Sequence, residues 1–349
     1  MSNLRARVKA EGNPLIDGDT VTFVWDGKKA PYLHLETNNF RPVELEKVAT
    51  KLWVHTIKLP SDAYIEYNFA KKKNKPKSIV VDPYNSKTTD TGVGHDNHYF
   101  SMPDRIHTPL IKKRKGIDKG TVTKHALDLG IIGAGISRDV WLYTPAATEP
   151  VPLLVVLDGK DYYERGKIVQ IVDNLIADGK IEPIALAMID NAGAYRMAEY
   201  NQNESIPMML DWSLLPLAKK HLNLIDTKDA HGAYGILGAS MGGLMALYIG
   251  LRMPDIFGKV ISQAGAFFTY QDGREALIHL MVDLLPPAPI KIWQDCGIYD
   301  WLHPVNVDML ERLQRKDYDV TYVEHSGGHN YTSWRDLLPS ALETMFGVS

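Results

Sequence analysis

From residue 120 onward, apolar segments that match buried strands alternate with segments long enough to form helices. The apolar segments include PLLVVLDG, PIALAMID, AYGILGAS, KVISQAGAF, IKIWQDCG and DVTYVEHSG. Near-continuous apolar strands are typical of parallel sheets that are buried on both faces, and the intervening segments suit crossover helices. Two further predicted strands, TVTKHALDL and RDVWLYTP, precede this series. The pattern therefore predicts a doubly wound α/β sheet over residues 119–349.

The first part of the chain has a different pattern. Between residues 20 and 100, short runs alternate apolar and polar residues, among them TVTFVWDG, PYLHLET, KLWVHTIKL, AYIEYNFA and SIVVDP. Turn residues separate these runs about every ten positions, which is typical of a small antiparallel sandwich. We therefore expect an all-β domain over residues 1–118, whose last part, from about residue 83, is a linker or an ordered crossover. The run KKKNKPK is expected at a hairpin tip, and attraction of an anionic ligand is the alternative.

Composition is that of an ordinary globular protein. The chain has 349 residues, a formal net charge of −3 and 45% hydrophobic residues, so nothing in it calls for nucleic acid or a membrane surface. The amino terminus lacks the apolar stretch of a signal peptide, and no run approaches the roughly 20 apolar residues of a spanning helix. The single cysteine, Cys296, fits a reducing compartment. These features predict a cytoplasmic protein.

A serine stands between glycines where one predicted strand gives way to a helix. Gly238-Ala239-Ser240-Met241-Gly242 fits the Gly-x-Ser-x-Gly pattern of a nucleophile elbow, a sharp turn that presents the serine hydroxyl to the cleft. Ser240 is therefore the predicted nucleophile. The alternative is a tight structural turn in which the small residues serve packing alone.

A serine hydroxyl is a poor nucleophile near neutral pH and needs a base and a group that orients the base. His329 directly follows the last predicted strand, whereas His325 lies at the end of the strand itself and is expected in packing. Asp300 lies in the loop after the preceding strand, whereas Asp295 lies inside that strand or at its end. The order serine, acid, histidine is that of α/β hydrolases. We therefore predict a Ser240, Asp300 and His329 triad; for Asp300 the alternative role is a helix cap.

The alkoxide that develops when a serine attacks a carbonyl group needs two hydrogen-bond donors. We expect one to be the backbone N–H of Met241, which follows the nucleophile, and the other the backbone N–H of Lys160, in the loop after PLLVVLDG. Neither role uses a side chain, so the identity of Lys160 says little about it.

Five segments between residues 120 and 346 are informative when taken together: LLVVLDGKDYYERG, IALAMIDNAGAYRMAEY, GILGASMGGLMALYIGLRMPDIFGKVISQAG, DCGIYDW and YVEHSGGHNYTSWRDLL. With these segments, the region resembles the enterochelin-esterase and esterase D group of α/β hydrolases. The resemblance implies an α/β-hydrolase sheet with Ser240, Asp300 and His329 as the triad, and a site shaped by Arg196 and Glu199. The segments VTFVWDG, LWVHTIKLPSDAYIEYNF and VVDPYNSKT are similar to the immunoglobulin-like (early-set) module that precedes the catalytic domain in enterochelin esterases.

Two motifs depart from the pattern of the resembling group. SQAGAFF stands where the group often has SQSGS, so Ala264 and Ala266 replace two hydroxyl residues. The frequent Gly-Gly-His-Asp-Trp appears here as Gly-Gly-His-Asn-Tyr, with Asn330 after the histidine. Both departures lie near the predicted triad, so they bear on which substrate is used.

Several side chains near these motifs are candidates for substrate binding. Arg196 is expected either to hold a carbonyl or anionic part of the substrate or to pair with Glu199 at i, i+3. Phe267, Phe268 and Trp301 directly follow predicted strands and are expected to line an aromatic pocket; for such large apolar side chains the alternative is a place in the core.

These observations predict a serine carboxylic ester hydrolase that works through an acyl-enzyme, with no metal or organic cofactor. Its partner is expected to be a small-molecule ester, not nucleic acid or a membrane, and a homodimer is left open. A siderophore lactone is favoured by the resemblance; the alternatives are a carbohydrate-linked feruloyl or acetyl ester and a general short-chain ester. A different hypothesis is a non-catalytic binding protein on a hydrolase scaffold.

Overall fold

The protein is described by a computed structural model covering residues 2–73, 78–92, 94–129, 137–268 and 275–348. The chain divides into two compact units. The first consists of Met1–His107, Gly297–Trp301 and Glu324–Ser333. The second consists of Thr108–Cys296, Leu302–Val323 and Trp334–Ser349.

The first unit begins with a helix and continues almost entirely as strands. In chain order these elements are α1 (Ser2–Glu11), β1 (Leu15–Asp17), β2 (Thr20–Asp26), β3 (Tyr32–Leu35), β4 (Pro42–Glu44), β5 (Glu46–Ala49), β6 (Leu52–Lys58), β7 (Tyr64–Ala70), β8 (Ile79–Val80), β9 (Thr88–Asp90) and β10 (Asp96–Ser101). A short 3-10 turn at Glu36–Asn38 follows β3. The predicted all-β character of this region is confirmed.

Two antiparallel sheets of the first unit share one hydrophobic core. Over the described residues, one sheet has the order β1-β2-β6-β5 and the other the order β4-β3-β7-β10-β9, with β8 paired to β7. The ring of Phe23 on β2 contacts the rings of Tyr67 on β7 and Phe100 on β10, with centroids 5.0 and 5.7 Å apart. Alternation along the strands, with period 2, directs these side chains to the shared core.

Strand β7 differs from its sequence pattern, because every one of its residues is buried. Ile65, Tyr67 and Phe69 enter the hydrophobic core, so by alternation Tyr64, Glu66 and Asn68 point to the opposite face. The N–H of Tyr64 donates to the carbonyl of Ser326 at 3.0 Å, which shows that residues from the carboxyl-terminal part of the chain pack at this strand. A strand that reads as half-exposed is therefore buried on both faces.

The segment predicted as a linker contains regular structure. Strand β10 lies within it and pairs with both β7 and β9. His98 on β10 is buried, and its Nε2 accepts a hydrogen bond of 3.0 Å from the Asp82 N–H. Of the two alternatives for this segment, residues 96–101 are therefore ordered and form part of the sheet. In the lysine-rich run, Lys71, Lys72 and Lys73 are exposed, and residues 74–77 lie outside the described ones.

In the second unit, strands and helices alternate. In chain order they are β11 (Thr121–Asp128), β12 (Ser137–Thr144), β13 (Leu153–Val156), α2 (Gly159–Glu164), α3 (Ile168–Ala177), β14 (Ala185–Ile189), α4 (Arg196–Tyr200), α5 (Ser205–Met209), α6 (Leu215–His221), β15 (Tyr234–Ala239), α7 (Met241–Arg252), β16 (Phe257–Gln263), α8 (Leu277–Leu284), β17 (Lys291–Gly297), α9 (His303–Arg315), β18 (Asp319–His325) and α10 (Tyr331–Phe346). Short 3-10 turns lie at Pro109–Ile111 and Gly193–Tyr195, and a π-helical turn lies at Leu210–Leu214.

The strands of the second unit form a mixed sheet in the order β11-β12-β14-β13-β15-β16-β17-β18, counted over the described residues. The pairs β14-β13, β13-β15, β15-β16 and β16-β17 are parallel, whereas β11-β12 and β12-β14 are antiparallel. Every residue of β13, β14 and β15 is buried, as the near-continuous apolar runs predict. The α/β prediction is confirmed.

The helices of the described residues are too short or too polar to cross a membrane.

Candidate active site

The sequence motifs after β13 and β15 lie at one edge of the sheet. These two strands are parallel neighbours, with Val156 opposite Leu237, so the residues that follow them emerge on the same side. The chain continues from β13 to β14 on one side of β13, and β15 lies on its other side. Ligands of open α/β sheets bind beyond the carboxyl ends of the strands at such a reversal of strand order.

Ser240 has a strained backbone on the turn between β15 and α7. Its φ is 59° and its ψ is −123°, a conformation that a residue with a Cβ seldom adopts. The Ser240 N–H donates to the Gln263 carbonyl at 2.9 Å, and the Ser240 carbonyl accepts from the Ala266 N–H at 3.0 Å. Gly238 is required here because a Cβ at that position would lie 2.2 Å from the Gly242 carbonyl oxygen. The surrounding backbone therefore holds the serine in this conformation.

The two predicted oxyanion donors begin helices. Met241 is the first residue of α7, and Lys160 is the second residue of α2. N–H groups in the first turn of a helix have no carbonyl partner within the helix, and they lie at the positive end of its dipole. Both backbone groups are therefore of the kind that stabilises negative charge on a substrate oxygen.

Arg196 and Glu199 pair with different residues. The Arg196 Nε and Nη2 atoms donate to the two carboxylate oxygens of Asp158, each at 2.6 Å. Glu199 accepts a hydrogen bond from the buried guanidinium of Arg138. The expected i, i+3 alternative joined Arg196 to Glu199, but the structure joins each of them to a partner on another element.

The Asp158 carboxylate links the elbow to the loop after β13. Asp158 is buried, has a left-handed backbone (φ 52°, ψ 42°) and directly precedes α2. Besides Arg196, it accepts from the Asn191 amide at 2.7 Å, and Arg196 also reaches the Ala239 carbonyl at 3.4 Å. The guanidinium therefore connects the residue before Ser240 to Asp158, which directly precedes the helix that contains Lys160.

Burial also affects a tyrosine in this network. The Tyr200 hydroxyl accepts a hydrogen bond of 3.2 Å from the Asp158 N–H. Burial, and next the charge of Asp158, raise the pKa of Tyr200 well above its usual range. Tyr200 is therefore neutral at working pH and supports the network by packing and hydrogen bonding.

His329 and Asp300 are joined by a short hydrogen bond in the first unit. The distance from His329 Nδ1 to Asp300 Oδ2 is 2.7 Å. The Asp300 side chain is 0% exposed and the His329 side chain 25% exposed. The Trp301 ring lies near the imidazole, with centroids 5.9 Å apart. With the proton on Nδ1 facing the carboxylate, Nε2 keeps its lone pair and can act as a base.

The two competing residues have structural surroundings. Asp295 is completely buried on β17, where its Oδ2 accepts from the Trp293 indole at 2.7 Å and from the Gln263 amide at 3.0 Å. His325 is also buried, and its ring packs against the backbone at Gly297 and Gly327. His325 therefore fits the packing role expected for it, and Asp295 lies inside the strand, as one of its two expected positions.

The predicted aromatic residues differ in exposure. Phe267 is 1% exposed and belongs to the hydrophobic core of the second unit, which agrees with the core alternative. Phe268 is 38% exposed and Trp301 is 47% exposed, so these two rings have surface available for a ligand.

Sequence reasoning missed Asp158 as the partner of Arg196 and assigned no role to Glu36. The sequence contained a signal for Asp158, because it is a carboxylate between the apolar run of β13 and Gly159, where ligand-binding residues of such sheets are expected. Glu36 had none, because its partner Asn330 lies 294 residues away in the chain. Within the described residues, no group of three His, Cys, Asp or Glu side chains is arranged to hold a metal ion.

The Esterase family model matches residues 135–294 of this chain. Iron(III) enterobactin esterase of Escherichia coli K12 is 26% identical over 300 residues, which cover 81% of this chain and 71% of that protein. An endo-1,4-beta-xylanase/feruloyl esterase of Xylanibacter ruminicola is 26% identical over 188 residues, which cover 52% of this chain and 24% of that protein.

The fold has a solved counterpart. The crystal structure of ferric enterobactin esterase from Salmonella typhimurium superposes with a TM-score of 0.80 at 21% sequence identity and covers 98% of each chain. At that identity the likeness shows a shared fold. The resemblance expected from the sequence motifs is confirmed, because the chain is similar to the Esterase family model and to enterobactin esterases in sequence and fold, and it is a carboxylic ester hydrolase.

Proposed function

We propose that Ser240, His329 and Asp300 form a catalytic triad and that the protein cleaves esters through an acyl-enzyme. The observation that carries this proposal is the 2.7 Å bond from His329 Nδ1 to a carboxylate with no solvent exposure. A buried carboxylate in this position selects the tautomer whose Nε2 is basic and stabilises the imidazolium that forms. The strained backbone of Ser240 supports its role as nucleophile.

The proposed reaction has two halves. Ser240 Oγ attacks the ester carbonyl carbon while its proton passes to His329 Nε2, and the Met241 and Lys160 N–H groups hold the resulting oxyanion. The tetrahedral intermediate then expels the alcohol, which takes the proton from His329. Water, deprotonated by the same imidazole, attacks the acyl-enzyme and releases the acid.

A fluorophosphonate probe tests the nucleophile. Incubation of the folded protein with the probe, followed by peptide mapping, is expected to place the label on Ser240. A Ser240→Ala variant is the matched control and is expected to stay unlabelled. Folded protein that remains unlabelled would contradict the triad and favour a binding protein on a hydrolase scaffold.

For the substrate, we propose a siderophore trilactone related to enterobactin. The curated relative that matches 81% of this chain is named an iron(III) enterobactin esterase, whereas the feruloyl esterase match covers 52% of it. Exposed Lys71–Lys73 and Lys112–Lys113 supply positive charge for an anionic ferric complex. The exposed rings of Phe268 and Trp301 are the proposed contacts for an aromatic part of the ligand. Arg196 and Glu199 are proposed to support the site through their hydrogen bonds with Asp158 and Arg138.

Three substrates distinguish the alternatives. Hydrolysis of a ferric trilactone, a feruloyl ester and a short-chain aryl ester should be measured side by side at equal enzyme concentration. We expect the trilactone to have the highest kcat/KM. Turnover of the aryl ester with an untouched trilactone would refute the siderophore assignment while leaving the triad in place.

The finer architecture is also a proposal. We propose that residues 1–118 form an immunoglobulin-like (early-set) module and residues 119–349 a doubly wound α/β-hydrolase domain. The shared core of the two amino-terminal sheets and the parallel run from β14 to β17 support these assignments. We further propose that the protein acts in the cytoplasm, which the single cysteine supports.

A further inference from the structure

Glu36 is a buried carboxyl group whose hydrogen bonds join the amino-terminal sheets to the loop that carries His329. It follows β3 and is 2% exposed. Its Oε1 accepts from the Asn330 amide at 2.8 Å, and its Oε2 accepts from the Glu66 backbone N–H at 3.1 Å. All of these residues belong to the first compact unit. The carboxyl group therefore connects strand β7 to the residue directly after the histidine.

The loop itself is built around this contact. Asn330 is buried and uses its side-chain oxygen to accept from the Ser333 N–H at 2.8 Å, so its amide NH₂ is the group left to face Glu36. A Cβ at Gly328 would lie 2.3 Å from the Glu36 Cγ, so the backbone before His329 lies directly against the same side chain. Glu36 thus contacts the residues on both sides of the histidine.

The surroundings of Glu36 make this contact costly to replace. Glu66, which is also buried, accepts from the Asn97 amide at 3.0 Å and lies one strand away. Burial, and next the charge of Glu66, raise the pKa of Glu36 well above its usual range, with a smaller effect from Asp300. Packing alone does not explain a carboxyl group that is buried beside two other acids. An apolar side chain at this position would fill the space without the free-energy cost of removing a carboxyl group from water.

We propose that Glu36 is a positioning residue for His329, and that through Asn330 it holds the loop in which the imidazole faces Asp300. This inference rests on the proposed triad. Misplacement of a reacting group by about 1 Å can lower a rate by about 100-fold, so a loosened loop is expected to lower kcat more than it raises KM.

Exchange of the two hydrogen-bonding groups tests the contact. In Glu36→Gln, either the Asn330 amide or the Glu66 backbone N–H faces the new NH₂ group instead of an oxygen. In Asn330→Asp, the amide donor is lost and two carboxyl groups face each other. In the double variant E36Q/N330D, the amide oxygen introduced at position 36 can accept from the Glu66 N–H while the amide NH₂ donates to the new carboxylate. Each single change therefore breaks the contact and the double change restores it with reversed polarity.

We expect kcat for a short-chain aryl ester to fall about 10-fold in Glu36→Gln and about 10- to 100-fold in Asn330→Asp, with KM within about 3-fold of the parent. We expect kcat of the double variant to return to within about 3-fold of the parent. A double-mutant cycle then measures the coupling between positions 36 and 330. The rate of fluorophosphonate labelling should follow the same order.

Two controls separate positioning from stability. Glu46→Gln makes the same chemical change at an exposed position of the first unit and should leave kcat unchanged. Val21→Ala, in the core of that unit, should lower the unfolding midpoint without changing kcat while the protein is folded. A double variant no more active than the worse single variant, or a kcat loss in Val21→Ala equal to that in Glu36→Gln at matched stability, would overturn the inference.

A His329→Ala variant makes the two proposals separable. An inactive His329→Ala protein together with fully active Glu36→Gln and Asn330→Asp variants would refute the positioning role and leave the triad standing. A His329→Ala protein with parent kcat would refute the triad itself.

Discussion

At the scale of single residues, Asp295 and Asp300 show how the same side chain differs in its hydrogen-bond partners when its surroundings differ. Asp295 and Asp300 are both buried and lie five positions apart. Asp300 contacts an imidazole, whereas Asp295 contacts the indole of Trp293 and the amide of Gln263. The environment, and not the residue type, separates the proposed catalytic acid from a structural one.

This contrast predicts different results for the same substitution. Asp300→Asn is expected to lower kcat about 10³- to 10⁴-fold, because an amide in place of the carboxylate favours the wrong imidazole tautomer. Asp295→Asn is expected to change kcat by less than about 3-fold but to lower the unfolding free energy by about 1–3 kcal/mol, because an NH₂ group replaces one carboxyl oxygen among buried hydrogen-bond partners. Steady-state kinetics and urea unfolding of both variants check this, and the reverse pattern would move the catalytic acid to position 295.

The raised pKa of Glu36 predicts a pH dependence of stability. Its cause is burial first, then the charge of Glu66, and least that of Asp300. The folded protein therefore keeps this proton at pH values where the unfolded chain has lost it, so the contribution of Glu36 to stability is largest at acid pH and falls as the pH rises above the ordinary glutamate pKa of about 4.3. Urea unfolding of the parent and of Glu36→Gln from pH 5 to 8 measures the slope, and we expect a flatter slope in the variant. Equal slopes would contradict this.

At the scale of elements, the turn between β15 and α7 has a strained backbone at Ser240, the proposed nucleophile. The φ of 59° at Ser240 suits glycine better than any residue with a Cβ. Gly238 and Gly242 approach so closely that a methyl group at position 238 would overlap the backbone. Small residues in this motif are therefore needed by the geometry as well as by the chemistry.

Glycine at position 240 should relieve the backbone strain and so stabilise the protein, whereas loss of the serine hydroxyl should abolish activity. Ser240→Gly is expected to be about 1 kcal/mol more stable than Ser240→Ala, because both lack the hydroxyl and only glycine adopts this backbone without strain. Urea unfolding of the two variants measures the difference, and the loss of aryl-ester hydrolysis in both is the control. A Ser240→Gly protein no more stable than Ser240→Ala would show that the turn is not strained.

At the scale of the whole molecule, the compact units do not follow the order of the chain. Residues 297–301 and 324–333 cluster with the amino-terminal sheets, and these residues include both Asp300 and His329. The Tyr64–Ser326 and Glu36–Asn330 hydrogen bonds belong to this clustering. The amino-terminal region therefore packs against the loops that contain Asp300 and His329, the proposed acid and base.

This arrangement predicts that the carboxyl-terminal region is insufficient by itself. A fragment of residues 119–349 lacks the partners of Ser326, Gly328 and Asn330, so we expect its kcat for an aryl ester to be at least about 100-fold below that of the full chain. Circular dichroism of the fragment reports whether its own sheet has formed. A fragment with a kcat within about 3-fold of the full chain would contradict the prediction.

Local information was enough for much of this protein. Apolar runs predicted β13 to β18 because strands buried on both faces carry little besides apolar side chains. The elbow motif placed Ser240 between a strand and a helix, and the order of serine, acid and histidine along the chain selected Asp300 and His329 as candidates.

Other features depended on which distant segments meet. Strand β7 reads as half-exposed, but all of its residues are buried and its Tyr64 N–H bonds to the Ser326 carbonyl. Strand β10 pairs with β7 inside a segment that reads as a linker or crossover. The partners of Arg196 and Asn330 were equally hidden, because periodicity and turn chemistry report only on neighbours in the chain. Local patterns were therefore sufficient for most strands of the second unit and for the candidates Ser240, Asp300 and His329. The contacts of Arg196 with Asp158 and of Glu36 with the histidine loop became visible only in the folded chain, because the partners are distant in sequence.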